Sequence, residues 1–414
     1  MNTTTTSGRP VAIEAGKPAF EEDLTVAFSA MRLRFGELLG TLGVAADEPQ
    51  ELARRLSISR NLTWKVSKVL CLQDLYQALA HLPGEEGLGI LWSALEKAGV
   101  AGEMVAAARE SHRRLNEVVE VHIGDRASLE IFLDSMGTGD AGVRLEQSRK
   151  LAFRGTSGIW GVQARAKTTT VFVCPSANDP AMLDTAIVGG IVEFRRLRTG
   201  IRWPLFAPKW YHDDGRPWAN NPREEAVDDA YAESEGPKLI GDMSSPSDPP
   251  IRLMKGRMGW VYELDEGPVG NAGALTCFFG TLARGAAPRY RSAEDGIGEF
   301  SSQITLPVEL LQFDLIAHRS LEHVLRPSVH VAGSVGVAGS EEQNIPVGER
   351  PIELTGRPPM MATQLVPKYD AMVDRVMKKG GWNRGDFAAI RLMVAYPPMH
   401  STVKMRFALE EKKA

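Results

Sequence analysis

Leu24, Phe28, Met31, Phe35 and Leu38 return at intervals of three and four residues. That spacing puts them on one side of a helix, which Gly40 or Gly43 can end. Asp47 is a suitable N-cap for a second helix, with Gln50 at the capping-box position and Pro49 in the first turn, where its missing N–H does little harm. The helical rhythm continues through "QDLYQALAHL", "EGLGILWSALEKAG" and "AGEMVAAARESHRRLNEVVEVHIG", broken by "PGEEG" and "GVAG". Residues 23–140 therefore read as an all-helical domain. Residues 1–22, rich in Thr, Gly and Pro with nothing periodic to bury, read as a mobile arm.

"MGTGDAG" at 136–142 is the first convincing linker, and the texture changes after it. "TTTVFVCP" reads as an apolar strand. Asn178 or Asp179 can cap a helix opened by Pro180, "AMLDTAIVGGIVEFRRLR". Pro367 opens another helix, with Met372, Val373, Val376 and Met377 on one side and Gly380–Gly381 at its end. Two strands follow, "FAAIRLMVAY" and "STVKMRFAL", joined by a turn at "PPMH". In the second, Val403, Met405, Phe407 and Leu409 alternate inward against Lys404 and Arg406. The expected fold class is α+β, with the helical domain followed by a larger mixed domain over 150–412.

Residues 207–250 stand apart, with ten acidic residues against four basic ones and seven prolines. Such composition resists packing and reads as a long solvated loop. Trp203, Trp210, Tyr211 and Trp218 give the opposing reading, a segment packed on something such as a neighbouring subunit.

A chain of 414 residues, 43% of them hydrophobic, can bury the core of two or three domains. It has no run of about 20 apolar residues, and "MNTTTTSGRP" lacks the order of a secretion signal. A cytoplasmic protein without a membrane partner is expected. Cys71, Cys174 and Cys277 lie too far apart for a disulfide framework or metal-ligand pairs and read as buried thiols. A net charge of −4 argues against non-specific coating of nucleic acid. Residues 51–70, however, carry Arg54, Arg55, Arg60, Lys65 and Lys68 against Glu51 alone, a basic patch confined to one place.

Within that patch, "QELARRLSISRNLTWKVSKVL" has a short first helix with Ala53 at its inner position, a tight turn at Ser57–Ile58–Ser59, and a second helix starting at Ser59. Ala53 has to be small where two helices cross, and Leu52, Leu56, Ile58, Leu62 and Val66 supply the seam. Spacing alone implies only two crossed helices. The stretch resembles the helix-turn-helix unit of bacterial transcription regulators over residues 50–70, with one departure: Ser57 stands where glycine is common. The resemblance implies a recognition helix at 59–70 in the major groove of double-stranded DNA. Arg60 and Asn61 then face bases, to which Arg and Asn can bond bidentately. Ser59 and Thr63 lie beside them at the free N–H groups of the helix start. Arg54, Arg55, Lys65 and Lys68 neutralise phosphates. Trp64 is unusual on such a face and has its place against the first helix or a partner.

Other clusters have plainer readings. Arg195, Arg196, Arg198 and Arg202 fall at the end of the expected helix, where positive charge complements the dipole; contact with an anion or nucleic acid is the alternative. His318, His323 and His330 lack the spacing of a helical zinc pair. "GSVGVAGS" at 333–340 follows an apparent strand without a helix after it, so it reads as a turn and not a phosphate loop. Ser157 in "GTSGIWG" misses the nucleophile-elbow pattern, since position 159 is Ile. No catalytic residue, metal ligand or cofactor is expected.

The leading expectation is a cytoplasmic DNA-binding regulator, its larger domain sensing an unidentified small-molecule effector, forming a homodimer or higher homo-oligomer, or both. Two alternatives stay open: an enzyme with its active site in 150–410, and an assembly protein that docks proteins through the helical unit.

Overall fold

The structure, a computed structural model, describes residues 20–135, 141–206, 224–233, 237–256, 259–333, 343–345 and 348–412. It contains both helices and sheets, an α+β protein. Two compact units divide the chain, Met1–Leu145 and Glu146–Ala414.

Among the described residues eight helices come first: α1 (Phe20–Leu42), α2 (Pro49–Leu56), α3 (Arg60–Cys71), α4 (Leu75–Ala80), α5 (Glu85–Lys97), α6 (Gly102–His122), α7 (Arg126–Ser135) and α8 (Ala141–Trp160). The unit boundary falls inside α8. All five periodic residues of α1 are buried, and they share one core with Leu52, Leu62, Leu88, Leu91, Val105 and Leu115. Gly43, with φ +62°, ends α1 in the left-handed conformation that glycine adopts without strain. Arginines reach across to helix ends, where carbonyls lack intrahelical partners. Arg32 of α1 donates to Val69 O at 2.7 Å and to Leu72 O. Arg126 donates to Leu82 O at 2.7 Å.

The second unit is built on β1 (Val162–Pro175), β2 (Met182–Arg196), β3 (Trp203–Phe206), β4 (Glu224–Ala226), β5 (Ile251–Gly256), β6 (Gly259–Leu264), β7 (Leu275–Pro288), β8 (Ile297–Gln303), β9 (Val308–His318), β10 (Ser328–Gly333), β11 (Gln343–Ile345), β12 (Ile352–Leu354), β13 (Phe387–Ala395) and β14 (Ser401–Ala408), with α9 (Tyr369–Gly380). Seven strands form the main sheet in the order β12-β13-β9-β1-β2-β7-β4; β11-β10-β14-β8 and β3-β6-β5 make two smaller ones. Inside the main sheet β1 and β9 are parallel, while β1–β2 and β9–β13 are antiparallel. One face carries Ala166, Phe172, Val188 and Phe278 against Met372, Val373, Val376 and Met377 of α9. The other buries Val171, Val173, Leu311 and Phe313 with Val331, Val403 and Met405 of the four-stranded sheet. Covered on both faces, β9 is buried nearly throughout.

Several expectations need correction. The stretch "AMLDTAIVGGIVEFRR" is no helix but β2, paired with β1 from Val162↔Arg196 to Pro175↔Leu183. Its β-branched residues favour a strand, and Gly189–Gly190 would weaken a helix by about 1 kcal/mol each. Asp179 caps a turn instead: its carboxylate accepts from Ala181 N at 2.9 Å. At Gly190 any side chain would meet the Phe278 ring at 2.3 Å, so the tight sheet packing requires glycine there. The helix α2 starts behind Glu48, not Asp47, and Glu48 makes no side-chain cap bond, Pro49 being the first helical residue.

Phe20, Glu21 and Glu22 belong to α1 and not to an arm, because Phe20 stacks edge-on against Phe132 at 5.2 Å; the rest of the arm lies outside the described residues. The linker expectation at 136–142 falls partly outside them, and helix resumes at Ala141. Of 207–250, residues 207–223 and 234–236 also lie outside. The described part is not a solvated loop: β4 pairs with β7, and Ala226, Val227, Leu239 and Ile240 are buried.

The α9 face holds one buried polar network. Asp314 of β9 accepts from Arg391 Nε and Nη2, each at 2.8 Å, from Tyr369 Oη at 2.6 Å, and from Gln312 Nε2 at 3.1 Å. Arg391 also donates to the carbonyls of Ala362 and Met361 at 3.0 and 3.1 Å. Replacing Arg391 by Met should lower stability by about 3–5 kcal/mol, because it strands a buried carboxylate. Tyr369→Phe should cost only about 1–2 kcal/mol, the loss of the hydroxyl's neutral-donor bonds to Asp314 and Thr170. Urea denaturation followed by tryptophan fluorescence measures both; equal losses would mean that Asp314 does not depend on the guanidinium.

Candidate nucleic-acid interface

Helices α2 and α3 are joined by three residues. Ser57 closes α2 at φ 53°, ψ 41°, a left-handed conformation, with its N–H on Ala53 O. A side chain pays about 1 kcal/mol or more to sit there, so the serine is a strained stand-in for glycine. Ser59 then caps α3: its Oγ accepts from Leu62 N at 3.2 Å. Leu52, Ala53, Leu56, Leu62 and Val66 are buried between the helices and the rest of the core.

That arrangement sorts the eight expected contact residues. Arg60 and Asn61, in the first turn of α3, are exposed, and their side chains bond to nothing among the described residues. Lys65 is likewise unpartnered and half-buried. Lys68 lies one turn further on, its ammonium 5.5 Å from the Trp64 ring centroid. Ser59 serves the helix start. Thr63 does not face outward, contrary to expectation: it is fully buried, its hydroxyl bonded to Arg60 O at 3.1 Å. It shares the inward stripe of α3 with Leu62 and Val66, where a hydroxyl bonded back to the helix can be tolerated.

The two arginines of α2 are less available than the sequence implies. Arg54 is held bidentately by Glu51 at 3.0 and 2.6 Å. Arg55 donates to Leu42 O at the end of α1, a structural tie. Trp64 is 43% exposed and sits edge-on to His81, centroids 5.1 Å apart.

The remaining clusters are occupied elsewhere. Arg195 and Arg196 end a strand, and Arg198 and Arg202 follow it, so no helix dipole explains them. Arg196 is buried, bonded to Ile201 O at 3.0 Å and to Asp265 O. Arg195 pairs with Glu193 at 2.5 Å, Arg198 donates to Ile159 O at 2.9 Å, and Arg202 lies 3.3 Å from Glu266. His318 bonds Ser320 Oγ at 2.8 Å, His323 contacts Glu410 at 3.2 Å, and His330 bonds Ser328 Oγ at 3.0 Å. Among the described residues no group of three His, Cys, Asp or Glu could hold a metal ion. Ser157 is buried near the end of α8, and its hydroxyl has no hydrogen-bond partner among the described residues. Residues 334–340 of "GSVGVAGS" lie outside the described residues. Cys71 is exposed, Cys174 half-buried and Cys277 buried, so the expectation of three buried thiols fails at Cys71, on the outer side of the last turn of α3.

Lys167, absent from the expected sites, lies on the central strand β1 with Ile191 and Leu311 as its cross-strand neighbours. Its ammonium has no partner among the described residues. Burial pulls it down to about 8, against a small opposing pull from Cys277. Burial also pushes the Cys277 thiol up to about 12, so Cys277 is a thiol and not a nucleophilic thiolate at neutral pH. A charged residue amid Thr and Val in "AKTTTVFV" was the available signal.

No family model matches the chain, and no curated protein matches it. A crystal structure of a proposed protease from Parabacteroides distasonis superimposes on 60% of this chain and 40% of its own at 6% identity, with a TM-score of 0.27. The chain thus spans under half of that protein, and the likeness is too slight to carry fold or function.

Lys167 gives a testable pH dependence. Its folded pKa lies below the 10.5 of a free lysine, so between about 8 and 10.5 the unfolded chain holds more protons. Stability contributed by this group is therefore present above pH 10.5 and lost as pH falls through 8. Lys167→Met should raise the melting temperature at pH 7 and flatten its rise between pH 8 and 10.5. Parallel melting profiles for the two proteins would show that the amine is not desolvated.

Proposed function

We propose that this chain is a sequence-specific DNA-binding regulator of transcription that lays α3 in the major groove. The observation that carries the reading is the first turn of α3: Arg60 and Asn61 are exposed and unpartnered, on a helix start held by the Ser59 cap. Arg and Asn are the residue types that read guanine and adenine bidentately. Lys65 and Lys68 supply phosphate contacts along the same helix. Arg54 and Arg55, already engaged, contribute less than their charge implies. One such helix reads few base pairs, so the reading includes a homodimer or higher homo-oligomer on a two-fold site.

Selection from random duplexes with the full chain, then titrations at several salt concentrations, tests this. Arg60→Ala should lose about 1–3 kcal/mol on the preferred site and relax sequence choice. Lys68→Ala should weaken all duplexes alike and flatten the salt dependence by about one unit of slope. No enriched sequence, with both variants binding like the parent, sinks the proposal.

The exposed indole of Trp64 favours a second reading, protein docking through the same face, since Trp dominates buried interface anchors. Trp64→Ala separates the two: lost oligomerisation or partner binding with duplex affinity intact supports docking.

A further inference from the structure

A second candidate site lies wholly within residues 319–390 of the second unit. There the 3-10 corner Arg319–Leu325, the start of β10 and the β12–β13 edge of the main sheet enclose a cleft of about 720 Å³. That volume suits a small organic molecule. Leu325, Val329 and the edge of Ile390 give it an apolar lining, and the chain adds charged side chains at Arg319, Glu322, Arg326, Glu349, Arg350 and Glu353.

These charges are not equally available. Glu322 is paired with Arg326. Glu349 is paired at 2.5 Å with Arg149, a buried side chain. Arg319, Arg350 and Glu353 are left, each exposed and none with a partner among the described residues. Two unmatched guanidinium groups against one carboxylate leave the cleft with a single excess positive charge. A guanidinium fork matches a carboxylate bidentately, and one excess charge suits a monoanion better than a phosphate dianion.

We propose that this cleft binds a small monoanionic carboxylic acid with an apolar acyl or aryl body, its carboxylate held between Arg319 and Arg350 and its body against Val329 and Ile390. The ligand replaces water on two exposed cations without stranding either, so binding carries little desolvation penalty. The site is independent of whether α3 binds DNA.

The test uses the full chain with octanoate and phenylacetate, and their uncharged amides, as probes. Calorimetric titration should show saturable binding of at least one acid at millimolar concentration, and no saturable binding of its amide. Arg319→Gln and Arg350→Gln should each weaken the acid at least tenfold, as loss of a charge-assisted pair implies, while the ligand-free melting temperature stays unchanged because both side chains are exposed. Val329→Trp, which fills the apolar end, should block phenylacetate without touching either arginine. The proposal is overturned if neither acid saturates, if acid and amide bind alike, if both arginine variants bind as the parent does, or if inorganic phosphate at matched ionic strength binds more tightly than the acids.

Discussion

Asp314 is fully buried in the middle of β9, and a carboxylate there is tolerable only if its oxygens are bonded. Its partners come from four places: Arg391 from β13, Tyr369 from the first turn of α9, Gln312 from β9 itself, and, through the tyrosine hydroxyl, Thr170 of β1 at 2.5 Å. Arg391 then reaches the carbonyls at 361 and 362. One desolvated charge thereby sets the β9–β13 register and seats α9 on the sheet. Burial, followed by the neighbouring carboxylate, keeps the Tyr369 phenol protonated far above its ordinary range, so it acts as a steady donor.

The far end of α9 is fastened in the same manner. Arg284 of β7 joins Asp184 at 3.0 Å and the Gly380 carbonyl at 2.9 Å, where the helix dipole favours a cation. Arg375 pairs with Asp228 at 3.2 Å and with Asp242 at 2.6 Å, and Lys379 pairs with Asp229 at 2.5 Å. The acidic residues that read as a solvated insertion are thus, in part, counterions for α9. Composition counts charges, and only the fold assigns them partners.

The same distinction governs the candidate sites. The basic stretch 51–70 is visible in the sequence, yet Arg54 is neutralised locally and Arg55 closes α1, which leaves Arg60, Lys65 and Lys68 outside any ion pair among the described residues, Lys68 lying against the Trp64 ring. The helical register of α3 is legible in Leu62 and Val66, but Thr63 turns inward beside them, bonded back to its own helix. Lys167 shows in the sequence only as a lone charge amid Thr and Val, and the Arg319–Arg350 cleft has no sequence signature. Cleft residues 319 and 350 come together only because β9, β10, β12 and β13 meet at one corner.

The sequence by itself determined the amphipathic helices of the first unit, since a 3.6-residue apolar period has one low-energy way to hide its stripe. It also determined the α9 face and the inward Val403, Met405 and Phe407 of β14, though Lys404 between them is buried as well and not outward, and it marked Ser57 as the place where a turn needs an unusual backbone. Only the tertiary structure decided that 182–196 is a strand. Pro, Asn and Asp open a hairpin turn as readily as a helix, and the choice rests on a β1 partner that no local window contains. It also decided which charges are spent on structure and which stay free, because an ion pair between residues 77 or 200 apart, as in Arg391–Asp314 and Arg149–Glu349, is fixed by chain topology and not by sequence spacing.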